Sequence, residues 1–370
     1  APRRAVGCIG RRRNTGDLVE MLSFMRGKKP PETAKSNGAS AGPGTLGHPG
    51  AIAAASTTLC ALGRMLLNDL TGMQADSSRK FAALRAASKE ATRIIQELTG
   101  FGCASSDQDL AKELKNRGEI VKPAILACET KKFHLLGMLY LSRLATHDVL
   151  HAANFEGVYP VLRKCTESSL EAMVQLRALQ AITGAMQSRT IASTYNHALG
   201  MVEAALVLHA SKINEVSHAA SAAVRQSVTR VFDFAAEQDD ADCIRTAGAV
   251  LREMVLMANE EDPEAIKCPH GPGTDLLCME VVDAVLRAHS AAFGHHPALL
   301  QILHEEVCSK IIGRLQRCVW TGGNRREQSF IYCVWMLRIA AAIVTLVPPH
   351  VIEREVPPPP PPKEEEEAAA

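Results

Sequence analysis

From about Ala51 to Val347 the apolar residues recur at intervals of three and four, the period of a helix that buries one face, and no comparable run alternates as a half-buried strand does. Three segments carry the pattern most cleanly. They are Tyr195, Leu199, Val202, Leu206 and His209; then Val216, Ala220, Val224, Val228 and Val231; then Leu300, Leu303, Val307, Ile311 and Leu315. Ser168 and Glu171 have the S-x-x-E spacing of a capping box and predict the start of a helix carrying Leu170, Met173, Leu176 and Ile182. Breaks are predicted at Gly100–Ser106, at Gly118, near Pro160, and across Asp262–Gly273, where Pro263, Pro269 and Pro272 cluster. Helices joined by short loops, each with a broad apolar face, predict an all-α chain whose antiparallel hairpins stack as an armadillo/HEAT-like helical solenoid. That solenoid is expected over residues 51–350, with a Pro/Gly loop near 262–273.

The two ends read differently. Residues 1–50 hold Arg11, Arg12 and Arg13 and then a Gly, Ser and Pro mixture, which predicts a disordered basic leader. Through residue 35 nine Lys or Arg stand against three Asp or Glu, a balance of 9 − 3 = +6 that suits an anionic membrane surface. Its one apolar patch, Leu18–Met25, is interrupted by Glu20, which argues against a secretory signal. Residues 351–370 contain Pro357–Pro362 followed by Lys363 and four glutamates, a low-complexity tail read as a stiff linker into a solvated acidic run.

Composition removes several functional classes. Lys plus Arg total 41 against 40 for Asp plus Glu, so a net charge of +1 offers no general attraction to nucleic acid. Aromatic residues at 4% leave few platforms on which bases could stack, so no nucleic-acid partner is expected. The most membrane-like stretch, Ile331–Val347, carries Arg338, ends at Pro348 and falls short of the roughly 20 apolar residues of a spanning helix. It reads as a buried last helix. Eleven cysteines without a C-x-x-C pair fit neither a disulfide framework nor a zinc ribbon and suit a reducing cytosol.

Chemistry-bearing motifs are equally sparse. No phosphate-cradling glycine loop occurs, and no cofactor is expected. Cys268, His270, Cys278, His289, His295, His296, His304 and Cys308 look like a metal cluster, but only His304 and Cys308 fall at ligand spacing, so they read as core cysteines and partly exposed histidines. No cysteine is singled out as a nucleophile, and Glu260–Glu261 and Glu305–Glu306 read as solvated charge. The chain is therefore expected not to be an enzyme.

Several stretches, taken in order, resemble one family. They are MLLNDLTGMQ followed by RKFAALRAASKE at 79–90, the segment Glu119–Cys128, and ESSLEAMVQLRALQAI from Glu167. ASAAVRQSVTRVF at Ala220–Phe232, LHEEVCSKII from Leu303 and FIYCVWMLR from Phe330 complete the set. Together they are similar to the N-terminal dimerisation and cyclophilin-binding region of the Mon-two family, trafficking proteins related to the large Arf guanine-nucleotide exchange factors. Val224, Arg225, Gln226, Val228, Val231 and Phe232 form the most specific match. The resemblance implies a helical solenoid that self-associates as a homodimer, binds a small Arf-like GTPase and is recruited to Golgi and endosomal membranes. An active exchange factor carrying its catalytic domain elsewhere, or a generic HEAT-type adaptor, are the alternatives. Within the matched pattern Val224, Val228 and Phe232 have core spacing, whereas Arg225 and Gln226 project outward or bond a neighbouring helix end. Lys131 and Lys132 are either an ordinary solvated turn or part of a rim facing an acidic partner.

Overall fold

The computed structural model describes residues 60–76, 79–100, 106–166, 171–237, 240–268, 271, 273–311, 314 and 326–346. The expected leader, the tail and Leu315 lie outside these residues, as do Ser168 and Leu170. Among the described residues every regular element is helical. In chain order these are α1 (Ala61–Asp76), α2 (Ala82–Gly100), α3 (Asp107–Lys115), α4 (Lys122–Cys128), α5 (His134–Thr146), α6 (Ala152–Lys164), α7 (Ala172–Ala185) and α8 (Arg189–Ala192). Then come α9 (Tyr195–His209), α10 (Asn214–Glu237), α11 (Ala241–Ala258), α12 (Thr274–Ala288), α13 (Ser290–His295), α14 (Pro297–Ile302), a π-helical segment Leu303–Cys308, and α15 (Arg326–Leu346).

The helices stack in two layers. One layer runs α1, α5, α7, α10, α12 and α15, and the other runs α2, α4, α6, α9, α11 and α14, each helix packing on the next in its layer. Consecutive helices also pair across the layers, α1 with α2, α4 with α5, α9 with α10 and α11 with α12. This is the architecture of a helical solenoid, in which each pair buries a face that it could not cover alone.

The apolar periodicity explains most of this core. Val216, Ala220, Val224, Val228 and Val231 are all buried along α10, so that helix presents one continuous stripe between its neighbours. The expectation for α9 needs correction. Residues 198–206 are buried without interruption, so this stretch of α9 has no solvent face, whereas Tyr195 at its start, read as part of the inward stripe, is 36% exposed. A helix covered all round reads as hydrophobic on every side, and the three-and-four pattern picked one side of several.

Two boundary expectations also change. Pro160 lies inside α6 and does not break it. An interior proline removes one hydrogen bond and costs ~3 kcal/mol, but Phe155, Val158, Val161 and Leu162 of the same helix are buried. At about 1.5–3 kcal/mol per buried side chain their burial outweighs that cost, and Pro160 itself is on the exposed face. The capping-box register is not formed either, because Glu171 occupies the N-cap position of α7, in extended conformation and with no side-chain cap bond. Side-chain caps occur elsewhere. Ser106 accepts from the Asp109 N–H at 3.1 Å at the start of α3, and Asp107 accepts from the Leu62 N–H at 2.8 Å, capping α1 from the neighbouring helix.

The most intimate contacts are made by glycine. On α7, a Cβ at Gly184 would lie 2.8 Å from the Thr146 backbone nitrogen and 2.9 Å from the Ala145 carbonyl carbon of α5. On α5, a Cβ at Gly137 would lie 2.7 Å from Cys128 Sγ and 3.1 Å from the Ala124 carbonyl oxygen of α4. Gly184→Ala is therefore expected to lower stability by about 1–3 kcal/mol, because backbone cannot yield as a flexible side chain can. Gly72→Ala in α1, where an added Cβ meets nothing within 4 Å, is expected to raise it by about 0.5–1 kcal/mol through helix propensity. Urea denaturation of both variants measures the contrast.

Candidate interaction surfaces

Successive helices of the first layer are tied by arginine–carboxylate pairs. Asp69 of α1 meets Arg143 of α5 at 2.6 Å, Glu280 of α12 meets Arg225 of α10, and Asp283 of α12 takes Arg338 of α15 at 2.8 Å and Arg287 of its own helix at 2.7 Å. Asp69 is only 7% exposed, and burial raises its pKa even though the Arg143 guanidinium pulls the other way. The second layer repeats the device. Arg163 of α6 meets Glu203 of α9 at 3.3 Å, and Arg189 of α8 meets Asp240 at the N-cap of α11 at 3.0 Å.

Arg225 and Gln226 both sit on the exposed side of α10, as expected from the sequence. Arg225 forms a rung to the neighbouring helix, and Gln226 lies beside it at the surface. Lys131 and Lys132 lie on a 3-10 turn, Lys131–Phe133, that carries the chain from α4 to α5. The Lys132 ammonium sits 5.0 Å from the ring centroid of Phe133, whose buried ring packs edge-on to Phe81. Lys164, at the end of α6, lies close enough to His134 to act on its protonation together with Lys131. The two candidate pairs are not brought together, because α5 packs on α7 and α7 on α10 between them.

One surface departs from expectation. The last helix, α15, is not fully buried. Met336, Ile339 and Ala342 face α12, but Phe330, Val334, Leu337 and Val344 are 70%, 40%, 57% and 66% exposed. With exposed Ala341 they are spaced 4-3-4-3, the seam that a second helix would cover. The spacing was visible in the sequence, but the apolar residues on the opposite side of the same helix made it read as buried all round. Beneath α15 lies a polar cluster in which Arg314, 7% exposed, donates to the Ala258 carbonyl, to Glu260 at 3.0 Å and to Asp275 at 3.4 Å. Tyr332 of α15 also donates to Asp275.

Among the described residues no group of three or more His, Cys, Asp or Glu is placed to hold a metal ion. His270 lies outside the described residues. None of the described helices is long and apolar enough to cross a membrane. Cys128, Cys165, Cys243, Cys268 and Cys278 are buried. Burial pushes the Cys268 thiol up to about 12, far from the range of a nucleophilic thiolate.

Residues 58–239 match the family described as DCB, the Mon2/Sec7/BIG1-like dimerisation and cyclophilin-binding domain. The chain is similar to that family over this segment. It is 23% identical over 313 residues to the Protein MON2 homolog of Xenopus laevis and 22% identical to that of Homo sapiens, each alignment covering 75% of this chain and 18% of the relative. The Monensin-resistant homolog 2 of Caenorhabditis elegans is 24% identical over 67% of this chain and 16% of its own length. The chain thus spans under a fifth of the length of the relatives it matches. No solved structure matches it. Within the matched domain lie Arg225, Gln226, Lys131 and Lys132, whereas the α15 ridge lies beyond it.

Three histidines give the fold a pH dependence. His134, His197 and His289 all have pKa values held below 6.5, chiefly because burial penalises the charged ring. Around His289 the Asp233 carboxylate, 3.7 Å away, opposes but does not cancel that effect. A lowered folded pKa means that the native state binds fewer protons than the unfolded chain, so stability is full above about pH 6.5 and falls as the pH drops below it. The urea midpoint is expected to fall between about pH 7 and pH 5, and His197→Leu is expected to flatten that slope.

Proposed function

We propose that this chain is part of a non-enzymatic vesicle-trafficking scaffold at Golgi and endosomal membranes, whose solenoid binds a small Arf-like GTPase and a second copy of itself. The observation that carries this reading is the domain match across 58–239, lying on a two-layer solenoid with Arg225 and Gln226 on its outward face. The family description itself names dimerisation. Peripheral contact with an anionic membrane would draw on the exposed Lys131 and Lys132 and on the +6 balance of residues 1–35.

The α15 ridge is the surface assigned to self-association. It carries no charge, and its spacing is nearly symmetric about Leu337. An antiparallel copy therefore sets Phe330 against Val344 and Leu337 against itself, as a two-fold interface requires. The domain description pairs Mon2 with Sec7 and BIG1, so the second reading is the regulatory region of an active Arf exchange factor.

Immobilised chain incubated with an Arf-like GTPase loaded with GTP analogue or GDP is expected to retain the GTP form, and Arg225→Glu with Gln226→Ala to weaken retention at least tenfold. Retention of neither form overturns the GTPase assignment. Light scattering is expected to show a concentration-dependent dimer that Leu337→Asp converts to monomer with its melting temperature unchanged. Acceleration of GDP release from Arf by the full-length protein would instead favour the exchange factor.

A further inference from the structure

The second layer carries a trough that none of these functions uses. Along the exposed side of α11, Arg245, Ala249 and Arg252 follow one another at helical spacing, with Ile244 half-buried beside them. Tyr195, at the start of α9, forms one wall, and Ile302, at the end of α14, forms the other. Together they enclose a cavity of about 460 Å³, within the rough 300–1,000 Å³ range of ligand sites. The trough exists because α11 is small at this level. Ala249 lies on its floor, and at Gly248 a Cβ would meet Ile302 Cδ1 at 2.5 Å, so the glycine leaves room for that side chain to lie against α11.

No carboxylate lines this cavity, and its two cations are loosely held. Arg245 meets Asp242 of its own turn at 2.9 Å, with both side chains 68% exposed. Exposed pairs of this kind exchange readily with another carboxylate. Arg252 pairs through Nε with Glu306 at 3.3 Å, and its side chain is 40% exposed. Glu306 is itself shared with Lys310 at 3.9 Å.

We infer that this trough binds an acidic amphipathic helix of a partner protein. Arg245 and Arg252 are seven residues apart, about 10.5 Å along α11 at 1.5 Å per residue. A helix lying along the trough sets carboxylates seven residues apart at the same spacing, with apolar side chains three and four residues on pointing at Ile244, Ala249 and Ile302. Two arginines flanking an apolar floor match that pattern and no basic one. The site is distinct from the residues assigned to GTPase binding and self-association, so it can fail without them.

The test uses the 370-residue chain and a fluorescein-labelled helical peptide with Glu at positions i and i+7 and Leu at i+3 and i+4. Fluorescence anisotropy is expected to show saturable binding. Substituting both Glu by Lys in the peptide, or Arg245→Met together with Arg252→Met in the chain, is expected to weaken binding at least tenfold. Ala249→Trp, which fills the trough, is expected to abolish binding while the thermal melt stays cooperative. Absence of saturable binding, equal binding by the double variant, or displacement of the peptide by phosphatidylserine vesicles but not by phosphatidylcholine vesicles overturns the assignment.

Discussion

The closest backbone approaches in the two layers are those of α5 with the helices on either side of it. Gly137 lets α5 sit against the backbone of α4 across the layers, and Gly184 lets α7 sit against the backbone of α5 within its own layer. Ala124, Ala127, Ala145, Ala178, Ala181 and Ala185 extend the same close fit around these points. Interiors are packed as densely as organic crystals, so a helix that approaches this closely fixes where the next one can go.

On that framework the arginine–carboxylate rungs act on register more than on stability. An exposed pair such as Glu280–Arg225 is worth roughly 0–1 kcal/mol, less than the burial of a single leucine, and the buried carboxylates Asp69 and Asp283 offset their attraction with the cost of leaving water. Their distribution is informative, because Asp69–Arg143, Glu280–Arg225 and Asp283–Arg338 each tie neighbouring helices of one layer. Two helix ends show a related economy. Asp148 and Glu260 adopt positive φ just past α5 and α11, where glycine is usual. Each has its carboxylate held by a base from another element, Lys115 at 2.7 Å and Arg314 at 3.0 Å.

The fold class was legible because most helices have one buried side, and three-and-four spacing is what one buried side leaves in a sequence. Val216 to Val231 shows this without ambiguity. Legibility failed where that premise failed. Residues 198–206 of α9 are buried on every side, α15 is apolar on two sides with only one covered, and Pro160 is carried by the burial of its neighbours. The candidate surface residues were placed outward correctly, since Arg225 and Gln226 directly follow Val224 on a helix with a buried valine stripe. Glu280 was not foreseeable as the partner of Arg225, because local spacing carries no information on contacts between residues so far apart. The α11 trough was equally hidden, being assembled from three helices.

The buried thiols have a practical corollary. Burial raises Cys243, Cys268 and Cys278 above the ordinary thiol range, and the hydrogen bond with Cys165, together with burial, does the same for Cys128, so the native protein holds little thiolate at these positions. Alkylating reagents must then wait for the surrounding helices to part. Because the cysteines are distributed over α4, α11, the loop after it and α12, the order in which they are modified traces the order in which successive repeats come open. The chain thus carries its own set of clocks for reading whether the solenoid unravels from one end or loosens from within.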